Sequence, residues 1–130
     1  MIVLDASLVV EFLTNGELAD SLRNEVGELD DSFLVPHLLD VEVTSALRNM
    51  VSGRKLDNRI AAQALERLAA LPVLRCPHVL LLDRIWELRH NFTAYDATYI
   101  ALAESMDAIL CTCDQKMSKG HRAQVMLFDL

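Results

Sequence analysis

Met1-Ile2-Val3-Leu4-Asp5-Ala6-Ser7 opens the chain with an apolar run that stops abruptly at a carboxylate. Such a run, too short for a helix, reads as a buried strand with Asp5 at its C-terminal end. The pattern returns at Ile109-Leu110-Cys111-Thr112, a second strand that runs through Cys113 to Asp114. Two buried strands that each deliver an acid to the same end point to a sheet whose C-terminal edge carries the chemistry.

The rest of the chain fills in that sheet. Ser7 to Leu13 reads as a first helix, stopped by Asn15-Gly16. Glu17 to Leu29 reads as an amphipathic second helix through Leu18, Leu22, Val26 and Leu29, followed by the polar turn Asp30-Asp31-Ser32. Phe33-Leu34-Val35 is a strand halted by Pro36. Leu38 to about Ser52 is a helix with Leu39, Val43, Ala46, Leu47 and Met50 on one face and Gly53 at its end. On that wheel Glu42 lies at the edge of the apolar stripe and Arg48 points away from it. A helix beginning at Asp57 runs through Ile60 to Leu71, and Val73-Leu74-Arg75 follows as a strand. His78 to Arg89 reads as a helix turning Leu81, Leu82, Ile85, Trp86 and Leu88 inward. Beyond the helix that begins near Thr93 come the strand ending at Asp114, a short polar turn or helix at Gln115 to Lys119, and a last strand, Gln124 to Phe128. Strands alternating with helices predict one α/β domain over residues 1–130, with a mainly parallel sheet and helices on both faces. Right-handed crossovers then align the strand C-termini along one edge.

Composition bounds what such a domain does. With 52% apolar residues but only 5% aromatic ones, the core is expected to be aliphatic. No apolar run approaches the roughly 20 residues of a membrane span, and no secretory signal is visible, so a cytoplasmic location is expected. Cys76, Cys111 and Cys113 are odd in number and lack a second Cys/His pair at zinc spacing, so they read as reduced thiols. A net charge of −7 argues against general affinity for phosphate backbones. It leaves room for an acidic site that meets phosphate through a cation.

The run Thr93-Ala94-Tyr95-Asp96-Ala97 places another acid at the start of a buried helix. Thr93 as N-cap with Asp96 three residues on makes a capping box built with Asp. Singly, Asp5, Glu42, Asp96 and Asp114 each have an ordinary structural reading as cap, surface or salt-bridge residue. Jointly, they reach one cleft if the strands of Asp5 and Asp114 are neighbours. Four close carboxylates repel, and a hard divalent cation with oxygen ligands, Mg²⁺ or Mn²⁺, resolves the repulsion. Spacing alone does not decide between the readings. The metal reading suits phosphodiester hydrolysis. His37, His78, His90 and His121 stand in unlike contexts and read as surface or capping residues, and the four glycines are too scattered for a phosphate loop.

At these residues the chain resembles the PIN-domain family, and within it the VapC toxin ribonucleases of bacterial toxin–antitoxin pairs. The resemblance rests on Val3-Leu4-Asp5-Ala6-Ser7, on Pro36 with Leu39, Glu42 and Ala46-Leu47-Arg48, on Thr93-Ala94-Tyr95-Asp96-Ala97 running to Glu104, and on Thr112-Cys113-Asp114 with Lys116. It implies a three-layer sandwich and an endoribonuclease dependent on Mg²⁺ or Mn²⁺. Asp5, Asp96 and Asp114 would be metal ligands, and Glu42 a ligand or a group that activates water. Ser7 and Thr112 would orient carboxylates by hydrogen bonding. It also implies a homodimer, and a cognate VapB-like antitoxin covering the cleft. Arg48, Arg54, Lys55, Arg89 and Lys116 are nominated for RNA contact, each with a solvated surface as the ordinary alternative. A non-catalytic PIN-like module for protein binding is the competing reading. A phosphatase with Asp5 as nucleophile would want a second acid where Ser7 stands.

Overall fold

Met1 to Leu4 becomes the central strand of a five-stranded sheet. The computed structural model describes residues 1–14, 19–28 and 32–128. Its strands are β1 (Ile2–Leu4), β2 (Phe33–Pro36), β3 (Leu74–Cys76), β4 (Ile109–Thr112) and β5 (Gln124–Leu127). They lie in the order β3-β2-β1-β4-β5, and every ladder is parallel. The strand order therefore reverses between β1 and β4, where Leu4 pairs with Cys111. A crevice at the carboxyl ends of two such strands is where open α/β sheets bind ligands. Asp5 and Asp114 flank that crevice because each follows a strand by one or two residues.

The helices are α1 (Ala6–Thr14), α2 (Ala19–Glu28), α3 (Leu38–Ser52), α4 (Asn58–Ala69), α5 (Leu82–Glu87) and α6 (Ala94–Ser105). One face of the sheet packs Ile2, Leu8, Leu22, Cys111 and Phe128 together. The larger core joins Val3, Leu34, Val35, Leu110 and most of α6. Asn15-Gly16, Glu17, Leu18, Leu29 and the Asp30-Asp31 turn lie outside the described residues. None of the described helices is long and apolar enough to cross a membrane.

Helix α6 is the most enclosed element. Ala97 through Ala103 are all buried, which requires apolar or small residues on every side of the helix. Thr93 caps it, its hydroxyl accepting from the Asp96 amide at 3.2 Å. Asp57 caps α4 in the same way, accepting from the Arg59 amide at 2.8 Å. Long-range ion pairs fix the helices to the sheet. Arg75 of β3 holds Asp40 of α3 through Nε and Nη2 at 2.8 and 3.0 Å, and donates to the Leu68 carbonyl at 2.8 Å.

The segment from His78 to Arg89 departs from the single helix that its sequence suggests. It forms a 3₁₀ turn at Val79–Leu81 and then the short α5. Leu81, Ile85 and Leu88 are buried, whereas Leu82 is 52% and Trp86 66% exposed. Leu81, Ile85 and Leu88 share one helical face, and Leu82 and Trp86 each lie one residue, about 100°, around from it. The apolar set is therefore split between the core and an outer face, and Trp86 packs under the Arg89 guanidinium, 4.3 Å from its ring centre.

Candidate active site

The acids gather at the carboxyl edge of the sheet because three of the four also begin helices. Asp5 ends β1 and caps α1: its Oδ1 accepts from the Leu8 amide at 3.1 Å and from the Ser7 hydroxyl at 2.8 Å. Its Oδ2 accepts a short hydrogen bond from the Thr112 hydroxyl. Thr112 Oγ1 in turn accepts from the Asp114 amide at 2.9 Å, and Ser7 Oγ from the Cys113 amide at 3.2 Å. Two hydroxyls thus stitch the ends of β1 and β4 together through one carboxylate. The nominated orienting residues, Ser7 and Thr112, both lie against Asp5.

Asp114 caps the 3₁₀ turn Gln115–Ser118, accepting from the Lys116 amide at 3.0 Å. That turn is anchored from below. Met117 is buried, and its carbonyl lies 2.6 Å from His121 Nε2, while the Ala123 amide donates to His121 Nδ1 at 3.1 Å. Nδ1 is therefore the acceptor and Nε2 carries the proton. This fixes His121 as a structural clamp on the Asp114 turn rather than a surface or capping residue. Asp96 enters from the first turn of α6, and Glu42 from the second turn of α3, half-buried at the stripe edge where its helical phase places it.

Electrostatics shows the four acids as one group. The buried Asp5 carboxyl is raised above the usual carboxylate range, first by desolvation and further by Asp96, against the hydrogen bonds from Thr112, Ser7 and Leu8. Glu42 is raised by desolvation and by Asp96 and Asp5, against the lowering effect of the Tyr99 hydroxyl. Asp96 is raised by desolvation and by Asp114, and lowered in part by Lys116 and Thr93. Burial outweighs both the caps and the favourable ends of the helices. Among the described residues no three His, Cys, Asp or Glu side chains stand close enough together to hold a metal ion as they are. The acids are near enough to act on one another without forming a closed cage. Oε1 of Glu42 is buried and completes no hydrogen bond of normal geometry. An all-oxygen donor set of this kind fits a hard cation that keeps much of its water.

The nominated basic residues are not all brought to the acids. Lys116 is, since its charge acts on Asp96. Arg54 and Lys55 follow the far end of α3, about 18 Å along its axis from Glu42 at a helical rise of 1.5 Å per residue, and both are exposed. Arg48 is exposed and hydrogen-bonds Asn49, and Arg89 is occupied with Trp86. The residue that sequence reading passed over is Tyr99, which is 1% exposed and electrostatically coupled to Glu42, Asp5 and Asp96. Its place three residues after Asp96, on nearly the same helical face, is the signal that was there to read. The thiols are desolvated and inert, with Cys113 pushed up to about 11 and Cys111 to about 12.

With this geometry in place, comparison with known proteins is decisive. The PIN domain family pattern matches residues 2–122. The chain belongs to the PIN-domain family. It is 40% identical over 124 residues to a VapC ribonuclease of Mycobacterium bovis, covering 95% of this chain and 94% of that protein. It is 41% identical over 118 residues to ribonuclease VapC1 of Mycobacterium tuberculosis, covering 89% and 87%. Among solved structures, VapBC2 from Rickettsia felis, crystallised on a DNA fragment from its promoter, superposes with a TM-score of 0.74 at 13% identity, covering 99% of this chain and all (100%) of that one. At that identity the likeness speaks for the PIN fold, which the parallel sheet and the β1/β4 crevice display directly.

Proposed function

We propose that this PIN-domain protein is a VapC-type endoribonuclease, the toxin of a type II toxin–antitoxin pair, acting on RNA in the cytoplasm with Mg²⁺ or Mn²⁺. The observation that carries the reading is the gathering of Asp5, Glu42, Asp96 and Asp114 at the switch point of a sheet whose chain is 40% identical to a VapC ribonuclease over 95% of its length. A binding module gains nothing from keeping three carboxylates in a state that costs stability. When bound there, Mg²⁺ or Mn²⁺ supplies a more acidic water and neutralises phosphate charge.

The chain's own residues divide the remaining work. Asp5, Asp96 and Asp114 would hold the cation, with Ser7 and Thr112 fixing the Asp5 carboxylate and Thr112 also fixing the Asp114 backbone. Glu42 would take a proton from the attacking water or complete the cation's ligands. Lys116, beside Asp96, would meet substrate phosphate. Purified protein should cleave RNA with Mg²⁺ or Mn²⁺ and stop in excess EDTA; full cleavage in EDTA would sink the metal-dependent mechanism.

Two partners complete the proposal. A cognate VapB-like antitoxin would cover the cleft and offer a basic group to the acids. A second copy of the chain would cover the exposed apolar face that includes Val41, Leu82, Trp86 and Tyr95, which are 69%, 52%, 66% and 59% exposed. Light scattering on wild type and on Trp86→Glu tests the dimer: wild type should run as a dimer and the variant as a monomer.

A further inference from the structure

Tyr99 presents a polar group that the fold has no need for. Its ring fills the core beneath the acids, a task a phenylalanine performs equally well. Its hydroxyl, however, is buried and completes no hydrogen bond of normal geometry. An unpaired hydroxyl in that position costs about 1–3 kcal/mol, so it calls for an acceptor close at hand.

The surroundings identify that partner by elimination. The Tyr99 phenol is coupled to three carboxylates: Glu42 first, then Asp5 and Asp96. Asp5 already accepts from Ser7, Leu8 and Thr112. Asp96 has the Thr93 hydroxyl beside it. Glu42 has no other donor among the described residues, and its Oε1 is itself buried and unpaired. Two orphaned atoms, a donor from α6 and an acceptor from α3, lie within each other's reach beside the cleft. The rest of the Glu42 side chain lines a groove of about 480 Å³ with Leu38, Ser45, Asn49 and Tyr95.

We propose that Tyr99 is a positioning residue, its hydroxyl donating to Oε1 of Glu42 so that the other carboxylate oxygen is presented to the reacting water and cation. Crowded by burial and by the neighbouring acids, the phenol is held far above its ordinary pKa. A rotatable carboxylate would otherwise sample several rotamers at the edge of the α3 stripe, and fixing one of its oxygens removes that freedom. The inference rests on the ribonuclease reading for its purpose, but the contact itself is independent of it.

The test has two arms. In metal-free wild-type protein, NMR should show a slowly exchanging Tyr99 hydroxyl proton with a cross-peak to the Glu42 side chain. Tyr99→Phe leaves the buried Glu42 oxygen without its donor, so it should lower the thermal midpoint modestly and, per folded molecule, lose about 10- to 100-fold in kcat, as is usual when a residue orienting a ligand is removed, with KM for RNA unchanged. Absence of the cross-peak, or turnover by Tyr99→Phe at the wild-type rate, overturns the proposal, as does a loss of activity that vanishes once rates are expressed per folded molecule. A wild-type protein inert on RNA with both cations would instead overturn the ribonuclease reading. The cross-peak would then still decide whether Tyr99 holds Glu42.

Discussion

Helix α6 carries an acid at each end, and the two live under opposite rules. Asp96 sits in the first turn, where the helix dipole favours a negative charge, yet burial and Asp114 raise its carboxyl. Glu104 sits in the last turn, where the dipole opposes it, yet it is lowered despite its own desolvation, chiefly by Arg84 and then by Arg122. Arg84 grips Glu104 through Nε and Nη2 at 2.8 and 2.9 Å, while Arg122 approaches to 3.7 Å. The dipole therefore decides neither case; the neighbours do. An acid given two arginines ties α5 and the entrance to β5 onto α6. An acid given three further acids holds its proton more tightly.

That contrast can be broken or sharpened by experiment. The largest effect is expected at the acid end. Asp96→Asn or Asp5→Asn should reduce metal-dependent RNA cleavage by about a thousandfold or more, while metal-free Asp96→Asn unfolds no more easily than wild type. Activity unchanged in either variant would place the reaction elsewhere.

At the other end the order of effects should reverse. Arg84→Ala strands a largely buried Glu104 and should cost about 2 kcal/mol of stability. Cleavage per folded molecule should stay at the wild-type level, read by denaturant melts alongside the RNA assay. Equal damage to both readouts would mean that the two ends of α6 are coupled.

The pH dependence follows from the opposite directions of the shifts. Asp5, Glu42 and Asp96 bind protons more tightly folded than unfolded. Their contribution in the metal-free protein is therefore unfavourable at neutral pH, and is relieved as pH falls through their folded values toward the ordinary 3.8 and 4.5. Glu104 binds its proton less tightly when folded, so its contribution is present above 4.5 and lost as pH falls below it. Melting curves should show metal-free stability rising from neutral pH into mildly acidic pH before it collapses. Saturating Mn²⁺ should raise the neutral-pH midpoint, and Asp96→Asn should flatten the rise. A metal-free profile flat between neutrality and pH 5 would remove the repulsion at the acid end.

The smallest effect is expected at the cap. Thr93→Ala removes the hydroxyl that accepts from the Asp96 amide and should cost about 1 kcal/mol, with a modest loss of cleavage because Asp96 loses its nearest hydrogen-bond donor. A stability loss with no change in cleavage would confine Thr93 to capping.

Much of this was legible in the sequence because it is local. Apolar runs of three or four residues mark β1, β2 and β4, and the residue after such a run falls at a strand end by covalent continuity alone. Asp5 and Asp114 were therefore placed before any contact was known. The 3.6-residue period likewise put Glu42 at the edge of the α3 stripe and Thr93 at the head of α6. The α5 region departs from its reading because Leu82 and Trp86 look like core residues by type, while their helical phase puts them about 100° around from the buried Leu81, Ile85 and Leu88.

What the tertiary structure alone decided are pairings between residues distant in the chain. Thr112 reaches Asp5 across 107 residues and Ser7 reaches the Cys113 amide across 106, contacts set by the β1/β4 register. Arg75 finds Asp40 across 35 residues, and Tyr99 lies beside Glu42 from a different helix. No period encodes such neighbours, since they depend on which strands lie side by side and how the helices pack over them. The sequence by itself determined which acids stand at the ends of strands and helices. Packing decided which groups stand beside them: Ser7, Leu8 and Thr112 at Asp5, and the Tyr99 phenol at Glu42.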